Sequence, residues 1–250
     1  MKLLVLQQWY GLSDMELERQ AAYRLDFQNF LGWPERPPDY STVWQFRERL
    51  AATMTDAVLW GELQGQLDEA GLKVRKGVAQ DASFIEADPG QSSSKPRGEE
   101  AATRRSSDGD WAKRPKGSVF GFKLHVKTDL EYGLVRAVES TSASVHDSRV
   151  DLSLPGEVVY RDKGYFGVEP RGWDATMRRG VRGHPLGEED RLRNKRIGLR
   201  RRPVERTFAV IKRVFHGGRV LVASLPRVRV KLVFSCFCFD LLQLCSIGFV

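Results

Sequence analysis

Residues 120–127 constrain this chain more than any other stretch. Phe120, Phe122, Leu124 and Val126 alternate with Gly121, Lys123, His125 and Lys127, a period of two that only an extended strand converts into one apolar face. Such a face needs a sheet and a layer to bury it. Residues 78–86 read as a strand before it. The turn 129–133 leads into a further strand over 134–141, which predicts an antiparallel hairpin. Residues 144–148 have the composition of a helix start. Residues 157–162 form another apolar strand, closed by Asp162-Lys163-Gly164-Tyr165, where Gly164 permits a sharp turn at the strand's carboxyl end.

Before Gly77 the period is helical. Ser13 and Glu16 have capping-box spacing with Leu12 and Leu17 placed as a staple, so a helix is expected after Gly11, preceded by a short one presenting Leu3, Leu6 and Tyr10. After the breaker-rich residues 32–38, a helix from about Thr42 carries Val43, Phe46 and Leu50. The next carries Leu59, Leu63 and Leu67 and stops at Gly71. This predicts an all-helical N-terminal domain over 1–72, serving DNA binding or dimerisation, and an α/β domain over 73–250.

The apolar residues 230–250 are interrupted by Lys231, Asp240 and Gln243, each costly at a bilayer centre, so a buried closing helix is expected rather than a membrane span. The apolar run Leu3 to Leu6 is too short for a signal peptide. Cys236, Cys238 and Cys245 lack the paired spacing of a zinc site and read as reduced core residues. A cytoplasmic protein is the expectation.

Charge narrows the partner. The chain carries a net +8, and residues 171–213 alone hold 14 Lys plus Arg against 5 Asp plus Glu, an excess of +9. Such a concentration is the footprint of a polyanion, with arginine favoured for its planar fork. Residues 171–202 are expected to be an irregular basic insertion, broken by Gly172, Gly180, Gly183, Pro185 and Gly187. Residues 87–118, rich in Ser, Gly, Pro and charge, are expected to be a mobile loop. Pro203 then suits the first turn of a helix whose Val204, Phe208, Ile211 and Phe215 share one face, with Glu205 at its edge. In a first turn, a Glu has a purely structural explanation in the helix dipole.

Asp81 within the first strand, Asp162 at the end of a later one and Glu205 on a late helix form the chemical constellation. Strands, helix, strand and helix in that order match a ribonuclease H-like mixed sheet flanked by helices, in which these positions converge on one edge. Carboxylate oxygens suit Mg²⁺ or Mn²⁺, and two such ions ~3.5–4 Å apart stabilise both oxygens of an in-line phosphoryl displacement.

The quoted blocks extend the likeness over almost the whole chain: LLVLQQWYGLSDMELE, FLGWP and STVWQFRERL, then QDASFIEAD, GFKLHVKTD, SASVHDS, VVYRDKGYFG and RRPVERTFAVIKR. Together they resemble the DDE transposases of bacterial and archaeal insertion sequences, specifically the insertion sequence 5 group. The resemblance implies cleavage of phosphodiester bonds at terminal inverted repeats and joining of the freed 3′-hydroxyl to target DNA. It places the triad on Asp81, Asp162 and Glu205. Asp81 and Asp162 would be the principal Mg²⁺ or Mn²⁺ ligands and Glu205 the third, directly or through water. Arg201, Glu205 and Lys212 fit the group's spacing around the third acid, with Arg201 and Lys212 on scissile or flanking phosphates. Arg200, Arg202, Arg206 and Arg213 complete the expected DNA-binding set. A homodimer on paired DNA ends, associated with the nucleoid, is expected by analogy.

Two departures stand out. Gly198 lies where the group often has a Tyr, and the chain begins almost at its first matching block. A shortened, catalytically silent DNA-binding remnant and a ribonuclease H-like nuclease without strand transfer are therefore the alternatives. His146 reads as a packed or hydrogen-bonded residue and Asp147 as a cap, with a direct catalytic role the lesser reading for both. Tyr165 and Trp173 suit either base stacking or core packing.

Overall fold

The computed structural model describes residues 1–90, 108–114 and 117–249. Its centre is β1 (Val78–Ala87), which pairs antiparallel with β3 (Gly117–Asp129) from Val78 opposite Asp129 to Glu86 opposite Gly121. On its other side the start of β1 pairs in parallel with β5 (Val158–Arg161), and its end with β7 (Arg219–Val220). β5 pairs in parallel with β6 (Trp173–Thr176). The far edge of β3 is shared: β2 (Asp110–Arg114) takes its first half and β4 (Val135–Ser142) its second. The result is a seven-stranded mixed sheet. With its flanking helices, it is ribonuclease H-like.

Gly121 makes the handover on β3 possible. Its φ of 151° lies outside what side-chain-bearing residues readily adopt, and a Cβ there would stand 2.1 Å from the Ile85 carbonyl oxygen. Its own carbonyl accepts from the Ala143 N–H at 3.1 Å. The alternation on β3 does what its period requires. Phe122, Leu124 and Val126 join the main core, while Lys123, His125 and Lys127 point to the opposite face, where they are also buried. That second face is polar and largely paired, His125 Nδ1 being buried without a partner. Lys123 Nζ meets Asp147 at 2.7 Å, Lys127 Nζ meets Glu157 at 2.9 Å, and His125 Nε2 meets Thr141 Oγ1 at 2.9 Å.

Five helices precede the sheet: α1 (Lys2–Tyr10), α2 (Asp14–Tyr23), α3 (Leu25–Leu31), α4 (Tyr40–Thr53) and α5 (Thr55–Glu69). Ser13 caps α2 by accepting the Glu16 N–H, and Asp39 caps α4 by accepting the Thr42 N–H at 2.7 Å. The buried side of α1 is Leu4, Val5, Leu6 and Gln8, rather than the expected Leu3, Leu6 and Tyr10. The reason is that α1 packs against both its helical neighbours and α7 (Leu225–Ser246), and so buries more than one row. Arg47 on α4 grips Asp14 on α2 through two hydrogen bonds of 2.8 and 2.7 Å.

α7 passes between the helices and the sheet, buried almost continuously from Val228 to Asp240. One hydrophobic core therefore crosses the boundary expected at residue 72. Val43, Leu50 and Trp60 belong to the same cluster as Phe122, Leu124 and Phe237. The polar interruptions are explained by position. Asp240 accepts the Val135 N–H at 2.8 Å, and Gln243 donates to the Tyr132 carbonyl at 2.8 Å, so both pin α7 to the β3–β4 hairpin. Among the described residues no helix is long and apolar enough to cross a membrane. Cys236 and Cys238 are buried as expected, whereas Cys245 is exposed near the end of the helix.

Several expectations need correction. Residues 144–148 do not begin an α-helix; a single 3-10 turn, Asp147–Arg149, occupies that place, held by Lys123 on the Asp147 side chain. The loop expected over 87–118 contains β2, because Trp111 packs edge-on against Phe120, 5.5 Å between centroids, across the β2–β3 ladder. The remainder of that expected loop, 91–107 and 115–116, lies outside the described residues. The largest difference is α6 (Glu188–Arg213), which runs 26 residues through what was expected to be irregular chain. Gly180, Gly183, Pro185 and Gly187 all fall before it. Its first turn holds Glu188, Glu189 and Asp190, the charges a helix N-terminus favours, and Asn194 ties it to the Arg178 backbone by bonds of 2.8 and 2.9 Å. Pro203 is consequently interior rather than initial.

Two stability outcomes follow. Gly121→Ala should lose several kcal/mol, on the order of 3 or more, read as a large drop in denaturation midpoint or as insoluble expression. Asp14→Asn should cost roughly 1 kcal/mol at pH 7. The Arg47 hydrogen bond holds the Asp14 carboxyl below its ordinary range, so this stabilisation is fully present above the unfolded value of about 4 and is lost as pH falls through the depressed folded value. Denaturant titrations of both proteins should therefore converge in acid.

Candidate active site

The two parallel pairings set the site. β1 and β5 run in register with Val78 opposite Val159 and Ala79 opposite Tyr160. Carried two residues on, the same register sets Asp81 beside Asp162, just past the end of β5. Asp162 caps the 3-10 turn Lys163–Tyr165 by accepting the Gly164 N–H at 2.8 Å. Asp81 lies opposite Val126 in the β1–β3 ladder, on the face that carries Leu124 and Phe122. α6 covers this face, its Val204, Phe208 and Ile211 being buried.

From α6, Arg201 reaches down to Asp81, Nη2 to Oδ2 at 2.7 Å. The other Asp81 oxygen accepts the Ala82 N–H at 2.9 Å. Burial pushes the Asp81 carboxyl up to about 6. Arg201 and the Ala82 N–H oppose that shift, while the charges of Asp162 and Asp147 add to it. Asp81 and Asp162 thus feel each other, and Asp147, fixed by Lys123, is a third carboxylate within electrostatic range.

Glu205 follows Arg201 by four residues on α6, one turn or about 6 Å further along the axis. Its side chain is exposed. Because α6 starts at Glu188, Glu205 is far from any helix N-terminus, and the first-turn explanation of this residue falls away. Among the described residues, no three His, Cys, Asp or Glu side chains form a group that could hold a metal ion. The pair Asp81 and Asp162 nevertheless has the right donor chemistry for a hard divalent cation: adjacent carboxylates whose repulsion a cation would relieve.

The other expected residues divide sharply. Arg200, Arg202, Arg206 and Arg213 are exposed on α6, while Arg201 is only 7% exposed and faces Asp81 rather than solvent. Lys212 is half-buried near the end of the helix. Tyr165 is buried and belongs to the interior, which removes it as a stacking platform. Trp173 is exposed on β6. His146 is exposed and bonds Ser148 through Nδ1 at 2.8 Å, a local cap.

Sequence reasoning missed a groove of about 740 Å³ beside this site, lined by Arg193, Arg196 and Arg200 of α6 and by Tyr160 of β5. The spacing i, i+3, i+7 was available as a signal. It went unread because that segment was taken as irregular.

Two models of known families match the sequence. A model described as "Transposase DDE domain" matches residues 73–241, and one described as "Transposase domain (DUF772)" matches residues 1–49. No solved structure gives a significant match. The first match spans the sheet, both acid-bearing strands, α6 and most of α7, well over half of the sequence: the chain belongs to the DDE transposase domain family.

Proposed function

We propose that this transposase is a divalent-metal-dependent enzyme that cuts phosphodiester bonds at the ends of an insertion sequence and joins the 3′-hydroxyl to target DNA. The observation that carries the reading is the level placement of Asp81 and Asp162 on neighbouring parallel strands, with α6 laid across them. In this reading Asp81 and Asp162 hold Mg²⁺ or Mn²⁺, and Glu205, one turn beyond Arg201, is the third ligand. The bound ions would supply charge stabilisation for the attacking and leaving oxygens and lower the pKa of the attacking hydroxyl or water.

The remaining work falls to the chain's own groups. Arg200, Arg202, Arg206 and Arg213 present guanidinium forks to the DNA backbone, and Lys212 lies toward the flanking phosphates. Arg193 and Arg196 extend that track along the groove beside Tyr160. Asp147, held by Lys123, adds negative potential without a direct role. Exposed aromatics on the N-terminal helices and their connections, Tyr23 and Trp44 on helices and Trp33 between α3 and α4, support a binding or dimerisation surface within residues 1–72, as a homodimer on paired ends would require.

Chemistry and binding separate experimentally. With Mg²⁺ or Mn²⁺ and DNA carrying the gene with its natural flanks, wild type should produce discrete cuts at the inverted repeats. Asp162→Asn should cut slower by on the order of 10²–10³-fold or more, the scale of losing one electrostatic group from a transition state; unchanged cutting would overturn the assignment. Arg200→Ala or Arg202→Ala should instead weaken binding to all DNA sequences alike. Each should also flatten the slope of log affinity against log salt by about one per lost contact, measured by fluorescence anisotropy.

A further inference from the structure

The expected role of Arg201 was contact with phosphate, yet its guanidinium sits on Asp81. Resting on the metal reading above, we infer that Arg201 is a latch. It occupies the Asp81 carboxylate in the DNA-free protein and releases it to a divalent cation when a DNA phosphate draws the guanidinium away.

Three observations support this. Both Asp81 oxygens already accept hydrogen bonds, one from Arg201 Nη2 at 2.7 Å and one from the Ala82 N–H at 2.9 Å. Each oxygen keeps a second lone pair, but a divalent cation bound there sits beside the Arg201 guanidinium, and of the two donors only Arg201 can withdraw, the Ala82 N–H being fixed within β1. Secondly, the latch is imperfect: Arg201 engages Asp81 through one nitrogen, and its Nε is buried with no hydrogen-bond partner. A guanidinium binds best through two parallel bonds, so a phosphate offering two oxygens satisfies it more fully. Thirdly, the neighbours Arg200 and Arg202 are exposed on either side of it in sequence, so DNA drawn to α6 brings phosphate to within reach of the buried arginine.

The charges make the arrangement a coupled one. A guanidinium and a divalent cation on one carboxylate repel each other strongly at contact distance in a site shielded from water. DNA binding and metal binding consequently strengthen one another by the same factor. Metal is then retained where DNA is already seated and held weakly where it is not.

Mn²⁺ binding followed by electron paramagnetic resonance tests the latch without relying on activity. Five titrations are needed: wild type, Arg201→Gln and Asp81→Asn without DNA, and wild type and Arg201→Gln with a duplex already cut at the element end. Without DNA, Arg201→Gln should bind Mn²⁺ roughly 10-fold more tightly than wild type, within the range typical of coupled sites. Adding the duplex should tighten wild type by a similar factor and Arg201→Gln hardly at all. If folded Arg201→Gln binds no more tightly than wild type, the latch is wrong and Arg201 only positions Asp81. Should that variant fail to fold, wild type alone decides, because Mn²⁺ affinity indifferent to the duplex also overturns the proposal. Asp81→Asn should weaken Mn²⁺ binding. An unchanged affinity there would sink the metal reading together with the latch, an outcome distinct from failure of the latch alone.

Discussion

The pairing of β1 on both of its sides is the constraint from which the rest follows. Antiparallel contact with β3 fixes which side chains of β1 enter the main core, and parallel contact with β5 fixes the height of Asp162 relative to Asp81. A slip of one residue in the β1–β3 ladder would turn Asp81 to the opposite face, among Lys123, His125 and Lys127, and one in the β1–β5 ladder would take Asp162 off the level of Asp81. The same register also determines where α6 lies, since Val204, Phe208 and Ile211 need the apolar face that β1 and β3 share. The acids are thus placed by backbone hydrogen bonds and apolar burial, before any electrostatic term operates.

That division explains what the sequence revealed and what it concealed. The strands were legible because strict alternation around Phe122 and Leu124 has no helical counterpart, and Asp81 and Asp162 were legible as acids at a strand interior and a strand end. α6 was misread for a physical reason. Gly198 and Pro203 each disfavour a helix locally, at about 1 and 3 kcal/mol, but tertiary anchoring by Ile197, Val204 and the Asn194 bonds to Arg178 outweighs them. Local propensity carries no information about such anchors. β2 was hidden similarly, because its stabilisation comes from pairing with residues 117–121 rather than from its own composition.

The Arg201–Asp81 contact joins residues 120 positions apart, and nothing in either neighbourhood announces it. Spacing around Glu205 marked Arg201 as important and its chemistry suggested phosphate, but only the fold shows the guanidinium turned inward. Misplacing the start of α6 hid the phase of its basic residues in the same way. Once the helix runs unbroken from Glu188, its arginines separate into an exposed set, the half-buried Arg193 and a single buried one, Arg201.

α7 lies at the centre of a core built from the first helices and the middle strands, yet it follows all of them in sequence. On a ribosome, the N-terminal helices and the sheet would therefore emerge with their apolar faces uncovered until α7 has followed them. The apolar faces of the helices and sheet accordingly wait on residues 225–246 for their cover, so this core depends on contacts of high sequence separation.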